Sequence, residues 1–73
     1  MKLIINGKEI SLNPQTVSPN LASIVEQLGY NRFLVVVELN ERILPQTKWD
    51  TQEIKSGDKL EIVTVVGGGS YSD

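Results

Sequence analysis

Lys2-Leu3-Ile4-Ile5-Asn6-Gly7-Lys8-Glu9-Ile10-Ser11-Leu12 opens the chain and decides its architecture. Lys2 to Asn6 is a short, mainly apolar run. Lys8 to Leu12 alternates polar and apolar, with Ile10 and Leu12 on one face. Asn6-Gly7 lies between them. Two β-type runs joined by Asn-Gly predict a hairpin, because a type I′ turn needs positive φ at both central positions.

Moving outward, Asn13-Pro14 closes the second strand and Ser18-Pro19 opens a helix, with Ser18 expected as the N-cap. Leu21, Ile24, Val25 and Leu28 fall at i, i+3, i+4 and i+7 and form one apolar stripe. Gly29 supplies a left-handed cap, so residues 19–28 are expected to form one amphipathic helix lying on a sheet. Phe33 to Leu39 is β-branched and almost wholly apolar, a strand covered on both sides or sitting mid-sheet. Asn40-Glu41 is a turn, and Arg42-Ile43-Leu44 is a brief strand ended by Pro45. Residues 46–53 are polar around Trp49 and hold one short helical turn. Lys55 to Asp58 is a turn, and Lys59 to Val66 is the final strand.

Hairpin, helix, strand, short strand, irregular segment, strand is an α+β order. The last strand is apolar enough to be central and can lie parallel to the first, because the intervening chain provides a long crossover. The expected architecture is the β-grasp (ubiquitin-like) fold. It has a mixed four- to five-stranded sheet with one helix packed across one face. Residues 1–66 form the β-grasp domain, and residues 67–73 a flexible glycine-rich C-terminal tail.

At 73 residues the chain can bury only about 60% of its unfolded surface, which leaves one thin core and no deep cleft. There is no Cys and no His. Disulfides, thiolate nucleophiles and the commonest acid–base group are therefore excluded. Seven basic against nine acidic side chains argue against a nucleic-acid surface. No apolar run approaches the roughly 18 residues of a membrane span. The N-terminus turns polar too early for a signal peptide. The expectation is a cytoplasmic domain without a metal, membrane or nucleic-acid partner, which binds or is acted upon and is not itself an enzyme.

Gly67-Gly68-Gly69 is the sharpest chemical candidate. A phosphate-cradling loop would lead into a helix and carry Lys or Ser/Thr, and neither a helix nor a Lys can follow here. A side-chain-free tail can instead thread a narrow channel and offer a main-chain carboxylate to a nucleotide held by a partner. From tail composition alone a flexible linker is the favoured reading. Glu38, Glu41, Asp50, Glu53, Asp58 and Glu61 read as solvated surface rather than paired catalytic carboxylates. Trp49 reads as a plug for the open end of the core, with a partner anchor as the alternative. Tyr30, Arg32 and Phe33 are a weak signal for base stacking in an acidic chain. The expected partner surface is the sheet face opposite the helix, near the last strand, marked by exposed aliphatics.

Val36-Val37-Glu38-Leu39-Asn40-Glu41-Arg42-Ile43-Leu44-Pro45-Gln46-Thr47-Lys48-Trp49 resembles the middle of the ThiS sulfur-carrier family. That family commonly shows a strand, an Asn-containing turn, two aliphatics, Pro, and an aromatic four residues later. Gly57 to Val63 followed by Val65-Val66-Gly67-Gly68-Gly69 is similar to its closing strand and glycine terminus, and Ile5-Asn6-Gly7-Lys8 fits its opening hairpin. The resemblance covers residues 1–69.

The resemblance implies that Gly69 carries the reactive carboxylate and that Gly67 and Gly68 thread into the partner. A ThiF-type adenylyltransferase would adenylate Gly69 with its own ATP and magnesium, so no cofactor is bound by this chain. Sulfur from a cysteine desulfurase-type donor would then replace AMP to give a thiocarboxylate. Thiazole synthase, ThiG, would take that sulfur for the thiazole of thiamine. The family normally ends at the glycines, whereas Ser70-Tyr71-Ser72-Asp73 follow here. The expectation is their proteolytic removal or an inactive carrier. The alternatives are a molybdopterin-synthase small-subunit-like sulfur carrier and a non-covalent β-grasp interaction module.

Overall fold

The computed structural model describes residues 1–12 and 19–65. β1 (Lys2–Ile5) and β2 (Lys8–Ser11) form the antiparallel hairpin, with Ile5 paired to Lys8 across the turn. Asn6 at φ 52° and Gly7 at φ 83° give the primed geometry that Asn-Gly favours. Helix α1 (Leu21–Gln27) follows, then β3 (Val35–Leu39), β4 (Arg42–Ile43) and β5 (Lys59–Thr64). The sheet order is β2-β1-β5-β3-β4. β5 is central, parallel to β1 and antiparallel to β3, as the apolar final run anticipates. The five-stranded mixed sheet with one helix is the β-grasp arrangement.

Alternation sorts the side chains of each strand. Leu3 and Ile5 of β1, Val35 and Val37 of β3, and Leu60 and Ile62 of β5 are buried towards the helix. Leu21, Ile24 and Val25 of α1 close over them, with Leu28 partly buried beside them. Trp49 completes the core with no exposed surface, the plug its position suggests. Its indole N–H donates to the Leu44 carbonyl at 2.9 Å.

Several boundaries differ from the sequence expectation. Ser18 lies outside the described residues, and the helix starts at Leu21 rather than residue 19. Asn20 is the N-cap, its Oδ1 accepting from Ser23 N at 2.8 Å. The other orphan donors of the first turn are also satisfied. Leu21 N donates to Gln52 O and Ala22 N to Trp49 O, and Ile24 N makes the first helical bond, to Asn20 O. Pro19 stays outside the helix, where its carbonyl accepts from Ile54 N at 3.0 Å. The helix therefore begins where the 49–54 segment can receive it. At the other end Gly29, at φ 90°, closes a Schellman motif. Tyr30 N bonds Val25 O and Gly29 N bonds Glu26 O.

The third strand begins at Val35 rather than Phe33. Asn31 Oδ1 accepts from Phe33 N and turns Arg32–Leu34 into a short 3₁₀ segment. β3 sits mid-sheet between β5 and β4, but it is not covered on both faces, because Val36 is exposed. Gln46–Lys48 supplies the short helical turn before Trp49. The last strand, expected over 59–66, ends at Thr64, and Val66 lies outside the described residues.

Candidate functional site

Gly67, Gly68 and Gly69 lie outside the described residues, as do Ser70 to Asp73. What the structure defines is the platform that precedes them. β5 runs through the middle of the sheet, and after Thr64 the Val65 amide still donates to the Leu34 carbonyl at 2.6 Å. The chain is thus held to the sheet up to the residue before Val66.

The face of the sheet away from α1 carries exposed aliphatics from four strands. Ile43 of β4 is 68% exposed, Val63 of β5 61%, Val36 of β3 41% and Ile4 of β1 38%. Val36 and Val63 are directly paired, and Ile43 is paired with Glu38, so these side chains share one surface. Exposed aliphatics grouped this way are the feature expected of a protein-contact surface. This is the surface the sequence reading seeks beside the last strand.

The remaining acidic residues are not one cluster. Asp58 works in its turn, with Oδ2 accepting from Lys55 N at 2.8 Å while Gly57 takes φ 95°. Glu41 pairs with Lys59 at 3.6 Å, and Asp50 pairs with Arg32 at 3.6 Å. Glu38 and Glu61, read as unrelated surface residues, stand directly opposite each other on β3 and β5. Only the register of two strands distant in sequence reveals that pairing. Among the described residues no group of three His, Cys, Asp or Glu side chains could hold a metal ion.

Arg32 is committed to structure. Its guanidinium sits 5.4 Å from the Trp49 ring centroid, pairs with Asp50, and donates from Nη2 to Gln46 O at 3.4 Å. Tyr30 and Phe33 line a shallow depression with Arg32, but Glu26 and Asp50 line it too. That charge balance does not suit a phosphate or a nucleic-acid backbone. No helix among the described residues is long and apolar enough to cross a membrane.

With this geometry in place, comparison with known proteins is decisive. Residues 3–69 match the ThiS family. The chain belongs to the ThiS family. The crystal structure of the thiamine biosynthesis protein ThiS from Geobacter metallireducens superposes with a TM-score of 0.79. It is 31% identical and covers 94% of this chain and 100% of its own. A thiazole synthase from Paramagnetospirillum magneticum is 39% identical over 70 residues, which is 96% of this chain but 21% of that protein. This chain therefore spans about a fifth of that relative's length. The protein ycf40 from Pyropia yezoensis, whose function is uncharacterised, is 40% identical over 65 residues, covering 89% of this chain and 87% of its own. The ThiS match extends through Gly67 to Gly69, the residues singled out from the sequence.

Proposed function

We propose that this chain is a sulfur carrier for thiamine biosynthesis whose reactive group is the Gly69 carboxylate. The observation that carries the reading is a ThiS-family match ending on the triple glycine, which directly follows the central strand of a β-grasp sheet. The fold offers no His, no Cys and, among the described residues, no metal-ligand group, so its chemistry is best placed on the main chain.

A carboxylate is a poor electrophile. Attack by a Gly69 carboxylate oxygen on the α-phosphorus of ATP releases pyrophosphate and leaves an acyl adenylate. The outer sulfur of a persulfide on a cysteine desulfurase-type donor then attacks the acyl carbon and expels AMP, and a thiol reductant cleaves the resulting acyl disulfide, leaving the sulfur on Gly69 and the donor and reductant as a disulfide. The thiocarboxylate so formed is a better nucleophile than the carboxylate and can pass its sulfur to a thiazole synthase. A ThiF-type adenylyltransferase supplies ATP and magnesium in this scheme. The absence of side chains at Gly67, Gly68 and Gly69 lets the acyl end enter a narrow site and leaves its carbon unhindered. Residues 70–73 must be cleaved before the Gly69 carboxylate exists, so the active species ends at Gly69. A thiazole synthase that carries a stretch similar to this chain supports the thiamine branch over the molybdopterin one.

The experiment is intact-mass analysis of the chain ending at Gly69 after incubation with a ThiF-type enzyme, ATP, magnesium and a sulfur donor. Replacement of one oxygen by sulfur is the expected result. An unchanged mass, with the adenylyltransferase active on its own carrier, overturns the proposal.

A further inference from the structure

Glu38 and Glu61 face each other at the middle of the exposed sheet surface without a counter-charge. They are directly paired across β3 and β5, and each is half-buried. Among the described residues neither carboxylate joins an ion pair or a side-chain hydrogen bond. Lys59, two positions before Glu61 on the same face, is engaged with Glu41. Like charges directly opposite on neighbouring strands weaken a sheet. The pair therefore works against the fold in its central ladder.

The surroundings of the pair define what would relieve it. Ile43 is paired with Glu38 on one side, and Val36 and Val63 form the next pair along the same face. Carboxylates framed by aliphatics attract a cation more strongly than solvated ones, once an apolar partner excludes water from around them. A second copy of this chain packed face to face would bring the same two carboxylates against them. A nucleic acid would bring phosphates. Both are repelled.

We propose that this face docks a protein which presents an arginine or lysine from within an apolar surface. The cation sits between Glu38 and Glu61, and the apolar rim packs on Ile43, Val36 and Val63. The inference rests on the carrier reading, in which the glycines that follow β5 in sequence carry the acyl end to the docked protein. Complementary charge here sets which proteins accept the carrier.

The test measures binding of the full chain to a thiazole synthase from the same cell, without ATP, by calorimetry. The wild type is compared with Glu38→Gln/Glu61→Gln and with Glu38→Lys/Glu61→Lys. Neutralising the pair is expected to weaken binding about tenfold, and reversing it to abolish binding. Salt dependence between roughly 0.05 and 0.5 M should be marked for the wild type and flattened in the Gln variant. The melting temperature of the Gln variant should equal or exceed that of the wild type, which separates a docking role from a structural one. The inference is overturned by unchanged binding of the Gln variant, by binding loss that merely tracks a lowered melting temperature, by a wild type that does not bind, or by self-association of the wild type through this face. Thiocarboxylate formation on the chain ending at Gly69 is scored separately. Its failure sinks the carrier chemistry, whereas a normal yield beside charge-insensitive binding sinks only the docking inference.

Discussion

The side-chain amide of Asn6 clamps the backbone of Ile62 at two points. Oδ1 accepts from Ile62 N at 2.7 Å, and Nδ2 donates to Ile62 O at 3.2 Å. A turn residue thereby extends the parallel β1–β5 ladder beyond the end of its own strand. Asn40 does similar work from the opposite side, where Oδ1 accepts from Lys59 N at 3.0 Å and its backbone N–H donates to Lys59 O. Both asparagines sit at positive φ, so one residue type answers two needs: a tight turn, and a polar arm that secures the central strand.

Asn6→Gly should preserve the turn and remove the clamp. The expected loss is about 1–3 kcal/mol, because Ile62 loses both partners at a part-buried site. Urea denaturation of the variant should show a lower midpoint at unchanged slope. A midpoint equal to the wild type would mean that water replaces the amide without penalty.

Trp49 is fully buried and is the chain's only tryptophan. Trp49→Phe leaves the Leu44 carbonyl without its 2.9 Å donor and should cost about 1–3 kcal/mol. Trp49→Ala should cost about 3–5 kcal/mol and leave a chain that unfolds near ambient temperature. Tryptophan emission from the native wild type should be blue-shifted and should move to the red in a single step with circular dichroism. Emission already red in the native state would contradict a sealed core.

Where local chemistry decides structure, the sequence is readable. Asn6-Gly7, the Leu21–Leu28 stripe, Gly29, the Asn40-Glu41 turn and the apolar last strand each carry their own reason. Where distant partners decide, it is not. Ile54 is buried with no periodic run around it, because the Pro19 carbonyl and the helix base hold its segment in place. Asn20 outranks Ser18-Pro19 as the helix start because Gln52 and Trp49 carbonyls await the first helical amides. The Glu38–Glu61 juxtaposition depends on strand register, which no local pattern encodes. The functional candidates Gly67, Gly68 and Gly69 are legible only from composition and family resemblance.

Gly29→Ala isolates a backbone effect. Nothing lies within 4 Å of the added methyl, yet φ is 90°. The expected cost is about 1–2 kcal/mol from the left-handed conformation alone. Gly29→Asn should cost less, because asparagine tolerates that region. If alanine and asparagine are equally destabilising by thermal melting, the cap is not what limits the substitution.

Gly68→Leu separates fold from function. Position 68 comes three residues after Val65, whose N–H bonds Leu34 O, and is expected to bear on the partner rather than on the sheet. Thermal stability should therefore match the wild type. The bulk of leucine should instead exclude the tail from a narrow adenylation site, and a small displacement of the acyl carbon from the α-phosphorus is enough to cost about 100-fold in rate. Gly68→Ala should fall between the two. Thiocarboxylate yield on chains ending at Gly69, read by intact mass, provides the comparison. A leucine variant that gains sulfur at the wild-type rate would show that the partner's channel is wide, and that the glycines serve reach and flexibility rather than steric access.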